Sequence, residues 1–179
     1  MTTEKPKTRS RWVLAFQLLL VMGFLALVWF IFAQTVLNPP KPAGVPDKLA
    51  GLELDSQVEG PEALAQVNKL HGIDIKLVKA YIAEYSHGNQ RVTAWVATAG
   101  SPQGAAELIR RMAQGIERGG SPFSNLQRLT IGDQEVFEVE GPGGKSFFYH
   151  SNEPADRVVW LTIAAPNAMP LLGQAVKTF

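Results

Sequence analysis

An unbroken apolar run from Trp12 to Ala33 is the feature that most constrains this chain. It contains no charged residue, and Gln17 is its only strongly polar interruption. Twenty-two residues at about 1.5 Å per helical residue measure roughly 33 Å, enough to cross a hydrocarbon core of about 30 Å. A helix also satisfies its own backbone polar groups, which lipid cannot do. The run therefore predicts a transmembrane helix over residues 12–34, with the lipid bilayer as its partner.

The charges that flank this run predict its orientation. The tail of residues 1–11 carries four basic residues against one acid, Glu4, whereas Lys41 and Lys48 are the first cations after the run. Basic residues concentrate on the cytoplasmic side of a span, so we expect a cytoplasmic N-terminus. From Asn38 onward there are 13 basic and 15 acidic residues. This slightly acidic outer part argues against nucleic-acid binding.

A cleaved signal peptide is the alternative, since a basic tail followed by an apolar stretch describes both. A signal-peptide apolar core is typically about 7 to 15 residues long, and the segment 31–34 lacks the small residue that a cleavage site needs three positions before the cut. We therefore favour an uncleaved anchor. The absence of cysteine excludes a lipidated cysteine anchor, disulfides and thiolate metal sites. The expected location is a bacterial cytoplasmic (inner) membrane, with a periplasmic or otherwise extracytoplasmic C-terminal domain.

Two small residues within the run, Gly23 and Ala26, are a candidate contact for another membrane helix. A small-x-x-small pair lets helices approach closely in a bilayer. A plain lipid-facing anchor is the alternative, because bulky Leu, Phe and Val surround the pair.

The region after the run divides into a spacer and a domain. Four prolines within Asn38–Pro46 favour an extended, semi-rigid stalk over residues 35–48. From residue 49 to residue 179 the composition is that of one compact domain, long enough to bury a core.

The domain alternates short helical and extended patterns, which predicts an α+β fold with an antiparallel sheet and about three helices. The clearest helix has Ser101 as N-cap and Pro102 at its first position. Further helices are predicted over 60–70 and 168–179. Strands are predicted over 73–85, 91–99, 126–131, 134–140, 145–150 and 157–165.

Two strand–helix stretches resemble each other. Arg91–Ala97 and Arg157–Ile163 both begin with Arg-Val, contain a central Trp and precede a helix. This similarity raises the hypothesis of two degenerate β-α-β-β-like halves with the helices on one face of the sheet. Chance similarity is the alternative.

The stretch Gly141–Ser146 ends in the Gly-Lys-Ser of a phosphate-binding P-loop. The spacing fails, because that motif requires glycine where this chain has Val139 and must lead into a helix. Phe147 and the residues after it have strand character, so a hairpin turn is predicted instead.

No other group of residues forms a catalytic or metal-binding signature. His71, His87 and His150 are not spaced to share a helix face. Glu138 and Glu140 would share a strand face with no compact cluster around them, so a solvated sheet surface is the favoured interpretation. We therefore expect no enzyme activity, no cofactor and no metal.

The loop 119–125 places Phe123 among turn residues. An exposed aromatic side chain there is a candidate partner contact, with ordinary core packing as the alternative.

These observations predict a single-pass membrane protein whose outer domain is a non-catalytic interaction, assembly or accessory subunit of a membrane complex. An integral-membrane protein is the expected partner. A membrane-tethered small-molecule-binding or sensor domain is the first alternative, and an enzyme with a site assembled from scattered residues is the second.

Overall fold

The structure, a computed structural model, describes residues 21–22, 24–30, 44–71 and 76–179. Residues 21–22 and 24–30 are helical and belong to a unit spanning Met1–Lys41. Most of the predicted span, including Gly23, lies outside the described residues, whereas Ala26 is helical and exposed. Among the residues that are described, no helix is both long and apolar enough to cross a membrane.

The second unit, Pro42–Phe179, contains an eight-stranded antiparallel sheet and three described helices. In chain order the elements are β1 (Lys48–Leu49), β2 (Leu52–Glu59), α1 (Gly60–His71), β3 (Lys79–His87), β4 (Gln90–Thr98), α2 (Pro102–Glu117), β5 (Ser124–Ile131), β6 (Gln134–Gly141), β7 (Gly144–His150), β8 (Arg157–Ala164) and α3 (Met169–Thr178).

The sheet has the order β1-β2-β3-β4-β8-β7-β6-β5. Its centre is the antiparallel pair β4 and β8, in which Trp95 lies opposite Trp160. Strand residues alternate between the two sheet faces, so the central strands supply apolar side chains to both. Both faces are covered by helices, which explains why the central strands are apolar on both sides.

One face of the sheet, here called the α3 face, packs against α3. Leu172 and Ala175 of α3 are fully buried there. Side chains from all eight strands pack in this core, including Leu49, Leu52, Tyr85, Val92, Leu129, Val136, Phe147 and Leu161. The buried Phe179 ends the helix, and its carbonyl oxygen accepts a hydrogen bond from Arg157 Nη1 at 2.7 Å.

The residues from Gly44 to Lys48, predicted as the end of the stalk, lie on the α3 face. Val45 is buried in the same core as α3. The Tyr81 hydroxyl donates to the Gly44 carbonyl at 3.2 Å, and the Tyr85 hydroxyl donates to the Pro46 carbonyl at 3.1 Å. The packed unit therefore begins before residue 49.

The opposite face, here called the α1–α2 face, packs against the other two helices. Ala63 and Val67 of α1 contact Ala80, Ile82 and Ala97. The helix α2 packs its buried stripe, Ala105, Leu108, Ile109, Ala113 and Ile116, on β6, β7 and β8.

Local predictions for the three helices and for the hairpins are confirmed within about two residues at most boundaries. Ser101 caps α2 by accepting a hydrogen bond from the Gly104 amide at 3.0 Å. The placement of the helices on one face was wrong, because α3 covers the other face. No strand is predicted where β2 lies, because β2 contains few apolar residues. The internal repeat stays a prediction.

Candidate functional site

A groove of about 610 Å³ lies on the α3 face, where the β6–β7 turn approaches the loop between β8 and α3. Phe147 and Ile163 form its floor and are almost fully buried, so the accessible apolar surface comes from Ala165, Pro166 and Met169. Its rim comes from the β3–β4 turn, the β6–β7 turn and the start of α3. The lining residues outside the floor are Asn89, Gly143, Gly144, Lys145, Ala164, Ala165, Pro166, Asn167, Ala168 and Met169.

The β6–β7 turn forms one wall of the groove. Gly141 pairs with Gly144, so Pro142 and Gly143 form a two-residue turn. Gly144 has φ of +104°, a backbone conformation that disfavours other residues. This confirms the hairpin prediction for Gly141–Ser146. The Gly-Lys-Ser segment enters a strand here, which is not the geometry of a P-loop.

Lys145, at the start of β7, brings a positive charge to the groove. Its ammonium group forms a short ion pair with the Glu138 carboxylate of β6. The Lys145 side chain is 54% exposed, whereas the Glu138 side chain is 12% exposed. The hydrogen bond and charge of Glu138, with a contribution from Glu140, raise the pKa of Lys145. Lys145 therefore remains a cation at neutral pH.

A bulge in β5 positions the next member of this polar group. The β5–β6 register shifts between Ser124 and Gln127. Asn125 lies within the shift with φ of +54°, a conformation that asparagine tolerates better than most residues. Its side-chain amide donates to the Glu140 carboxylate at 2.7 Å. Asn125, Glu140, Lys145 and Glu138 thus form a connected polar group beside the groove.

This arrangement is suited to binding. A lysine with a raised pKa is a poor nucleophile or general base, because it holds its proton more tightly. It can instead donate charged hydrogen bonds to an anionic group. In the described part of the chain, no three histidine or carboxylate side chains are placed to hold a metal ion.

Phe123, the candidate contact residue, lies away from the groove on the α1–α2 face. Its ring is half-buried and meets the Trp160 ring edge-on, with centroids 4.7 Å apart. The same ring covers Gly141 so closely that an added Cβ would lie 2.4 Å from its Cδ1 atom. Phe123 therefore contributes to packing, and its partner contact stays a prediction.

The three histidines are not among the described residues that line the groove. Gly23 is outside the described residues and Ala26 belongs to the first unit. His71 ends α1, His87 is exposed at the end of β3, and His150 is half-buried at the end of β7.

The glutamates of β6 were predicted to lie on a solvated sheet surface, but they differ in their exposure. Glu135 is exposed and lies 3.5 Å from Arg128. Glu138 is almost buried because Lys145 and the neighbouring strands cover it. The hairpin turn predicted around Pro142 could have indicated part of this site, because such a turn places Glu140 opposite Lys145. The choice of Glu138 as the ion-pair partner depends on side-chain packing, which the sequence does not show.

Comparison with known protein families, with characterised proteins and with solved structures found none that matches this chain.

Proposed function

We propose that this chain is a membrane-anchored, non-catalytic accessory subunit whose outer domain binds a protein of a membrane complex through the groove. The observation that carries the proposal is the groove itself, whose rim brings together the exposed Met169 side chain and the Lys145 ammonium group. An apolar surface with a few polar groups around it is typical of a binding site.

The membrane part of the proposal rests on the apolar run. Its described residues are helical, and their side chains are largely exposed, including Phe24 at 66% and Trp29 at 72%. Apolar side chains of this size are stabilised by lipid rather than by water. With the basic tail before them, they support an inner-membrane anchor with the domain in the periplasm or another extracytoplasmic space.

The accessory role is supported by the ion pair between Lys145 and Glu138 beside the groove. Glu138 neutralises Lys145 and raises its pKa, which suits recognition rather than proton transfer. The paired charges also limit the cost of placing a partner over this surface, since neither charge would be buried alone.

Photocrosslinking in intact membranes tests this proposal. A photoreactive amino acid is placed at Asn167 on the groove rim, at Phe123, at Ala26 in the apolar run, and at Glu62 as a control on α1. We expect the Asn167 probe to capture one integral-membrane protein reproducibly, identified by mass spectrometry, and the Glu62 probe to capture none. Equal capture at Asn167 and Glu62, or no capture at Asn167, would contradict the proposal. The Phe123 and Ala26 probes report whether loop or span also contacts the partner.

A small-molecule-binding or sensor domain is a second candidate, favoured by the groove volume. About 610 Å³ lies within the range of about 300 to 1,000 Å³ that is common for ligand pockets. Native mass spectrometry of the protein released gently from its own membrane tests this candidate. A bound small molecule that is lost on substituting Met169→Glu would support it, whereas the bare mass in both proteins would count against it.

A further inference from the structure

We infer that β5, a strand at the edge of the sheet, pairs antiparallel with β5 of a second copy of this chain, with Leu129 of each copy at the two-fold axis. The sheets of the two copies then join into one across the interface. None of residues 127–130 lines the groove. This contact is therefore separate from the proposed binding of a membrane-complex protein and does not depend on it.

The strand β5 has a neighbouring strand on one side only. The sheet order places it at the end, beside β6. Its register with β6 shifts between Ser124 and Gln127 and is regular from Gln127 to Ile131. Among the described residues, this regular part forms backbone hydrogen bonds with β6 alone. The outer side of β5 therefore offers free peptide groups to a further strand.

The turn between β5 and β6 determines which residues of β5 point outward. Ile131 pairs with Gln134 across a two-residue turn. Such a turn is closed by a hydrogen-bonded pair, and hydrogen-bonded and non-hydrogen-bonded pairs alternate along antiparallel strands. Leu129 therefore directs its N–H and C=O groups toward β6, whereas Arg128 and Thr130 direct theirs away from it.

An antiparallel arrangement centred on Leu129 matches these outward groups. It places Arg128 of each copy opposite Thr130 of the other, so that their N–H and C=O groups form four hydrogen bonds across the interface. Leu129 then faces its own counterpart in a non-hydrogen-bonded pair, with Cα atoms about 4.5 Å apart. The contact is isologous, because the same residues serve on both sides, and it closes at two copies.

The side chains on both faces of the sheet suit this register. Leu129 and Ile131 are half-buried against the core of the α3 face. The second copy covers the exposed part of Leu129 with an identical leucine. On the α1–α2 face, Arg128 lies 3.5 Å from Glu135 of its own copy. Each copy thus brings a cation together with its counter-ion, which limits charge repulsion between the two strands.

The opposite edge of the sheet lacks this complementarity. There β1 pairs with only two residues of β2, and β2 carries Glu53, Asp55 and Glu59 with no cation. Two copies of β2 would bring like charges together, and its register shift adds a bulge, which also protects a sheet edge. From Gln127 onward, β5 has one charged residue, Arg128, and neither proline nor lysine. We therefore place the second copy at β5.

Cysteine crosslinking of the full-length chain in intact membranes tests the pairing, since the natural chain has no cysteine. Leu129→Cys places two thiols at the two-fold axis, where the Cα separation is one that a disulfide allows. Val58→Cys is the matched control, because Val58 is also half-buried and lies on the opposite edge, beyond the residues that pair with β1. With a mild oxidant we expect Leu129→Cys to form a disulfide-linked dimer and Val58→Cys to stay monomeric.

A mixture of two variants tests the register. Arg128→Cys and Thr130→Cys are produced in the same cells on chains with different affinity tags. We expect the two variants to crosslink to each other, since these positions face each other with Cα atoms about 5.5 Å apart. Each variant alone should crosslink poorly, because its own counterpart lies diagonally, about 7–8 Å away. Both natural side chains are exposed, so these substitutions do not disturb the core.

Two charge variants in the Leu129→Cys background separate pairing from chance collision. Thr130→Glu places an acid opposite Arg128 of the second copy, whereas Thr130→Lys places a like charge there. We expect the dimer of the Glu variant to be about fivefold more stable than that of the Lys variant, as for opposite against like charges on neighbouring strands. The crosslinked fraction at increasing dilution in lipid measures this ratio.

The inference is overturned if Leu129→Cys and Val58→Cys crosslink equally, or if Arg128→Cys and Thr130→Cys crosslink no better together than alone. It is also overturned if the Leu129→Cys chain is captured by a different protein, which would assign this edge to that protein. Photocrosslinking at Asn167 reports separately on the proposed function. Capture at Asn167 without the β5 dimer would reject only this inference, whereas the β5 dimer without capture would reject only the proposed function.

Discussion

Trp95 and Trp160 lie directly opposite each other on the two central strands of the sheet, β4 and β8. Trp160 stacks on Phe148 with centroids 5.2 Å apart, and Phe148 stacks on Phe137 at 5.0 Å. The Arg128 guanidinium lies 5.1 Å from the centroid of Phe137. This row links β8, β7, β6 and β5 through cross-strand contacts that stabilise a sheet. It makes the α1–α2 face a continuous packed layer beneath α2.

Phe123 extends this layer over Gly141, which leads to a prediction for Gly141→Ala. The new methyl group would overlap the Phe123 ring and push it off Trp160. We expect a loss of about 1–3 kcal/mol in the free energy of unfolding, as in other overpacked sites. Chemical denaturation of the two proteins measures it.

The double variant Phe123→Ala/Gly141→Ala provides the control for that overlap. Phe123→Ala alone should cost about 1–3 kcal/mol, less than for a fully buried phenylalanine. In its background Gly141→Ala should have little further effect, because the ring it meets is gone. Additive costs would show that overlap with the Phe123 ring is not the cause of the loss.

The three tyrosines predict how stability depends on alkaline pH. Tyr81, Tyr85 and Tyr149 are all the tyrosines of the chain, and each hydroxyl donates to a backbone carbonyl on the α3 face. Burial raises the pKa of Tyr81 to about 12, partly offset by Arg157. Burial also raises the pKa of Tyr85 and Tyr149.

A raised pKa in the folded state means that the native protein holds these protons more tightly than the unfolded chain does. Their stabilising contribution is complete below the unfolded pKa of about 10 and is lost as the pH rises toward 12. We expect tyrosinate absorbance to appear together with loss of circular dichroism in one cooperative step. If a tyrosine ionised near pH 10 while the fold is intact, the burial of its hydroxyl group would be contradicted.

Lys145→Met should lower the free energy of unfolding at neutral pH, since it leaves the nearly buried Glu138 carboxylate without its cation. Chemical denaturation of the two proteins at neutral pH measures the loss.

Glu138→Leu in the Lys145→Met background tests the cause of that loss. Removing both charges should restore much of the stability, because no unpaired carboxylate remains in this nearly buried position. If the loss in the double variant equals the sum of the losses in the two single variants, the two side chains are not energetically coupled, and the loss has another cause.

Ser101→Ala should cost about 1 kcal/mol, because Ser101 accepts the Gly104 amide hydrogen bond at the start of α2. Ser101→Asp should retain most of the stability, since its carboxylate accepts the same bond and favours the positive end of the helix. Thermal unfolding of both variants checks the expectation. Equal losses in the two variants would show that the side-chain cap does not matter.

Several local elements could be predicted because their signals lie within a few residues. Ser101 and Pro102 mark the start of α2, and Gly119 follows its end with φ of +74°. Gly88 has a positive φ in the turn that joins β3 and β4. Capping, fixed φ angles and short turns depend on neighbours in the chain, so the sequence alone specifies them.

The strand β2 could not be predicted from the same signals. Leu52, Leu54 and Val58 are its apolar residues, and a register shift between Leu54 and Ser56 breaks their alternation. Its strand conformation comes from pairing with β3, which follows only after α1. A strand so rich in polar residues depends on tertiary contacts more than on propensity.

The sequence by itself determined the apolar run before the domain, the helices and hairpins of the α+β fold, and the absence of cysteine chemistry, because composition and short-range periodicity encode them. Only the tertiary structure decided that β4 pairs with β8, that α3 covers one face while α1 and α2 cover the other, and that Lys145 pairs with Glu138 beside a groove. These features join residues far apart in the chain. Their free energies depend on burial and on shape complementarity, which no local pattern records.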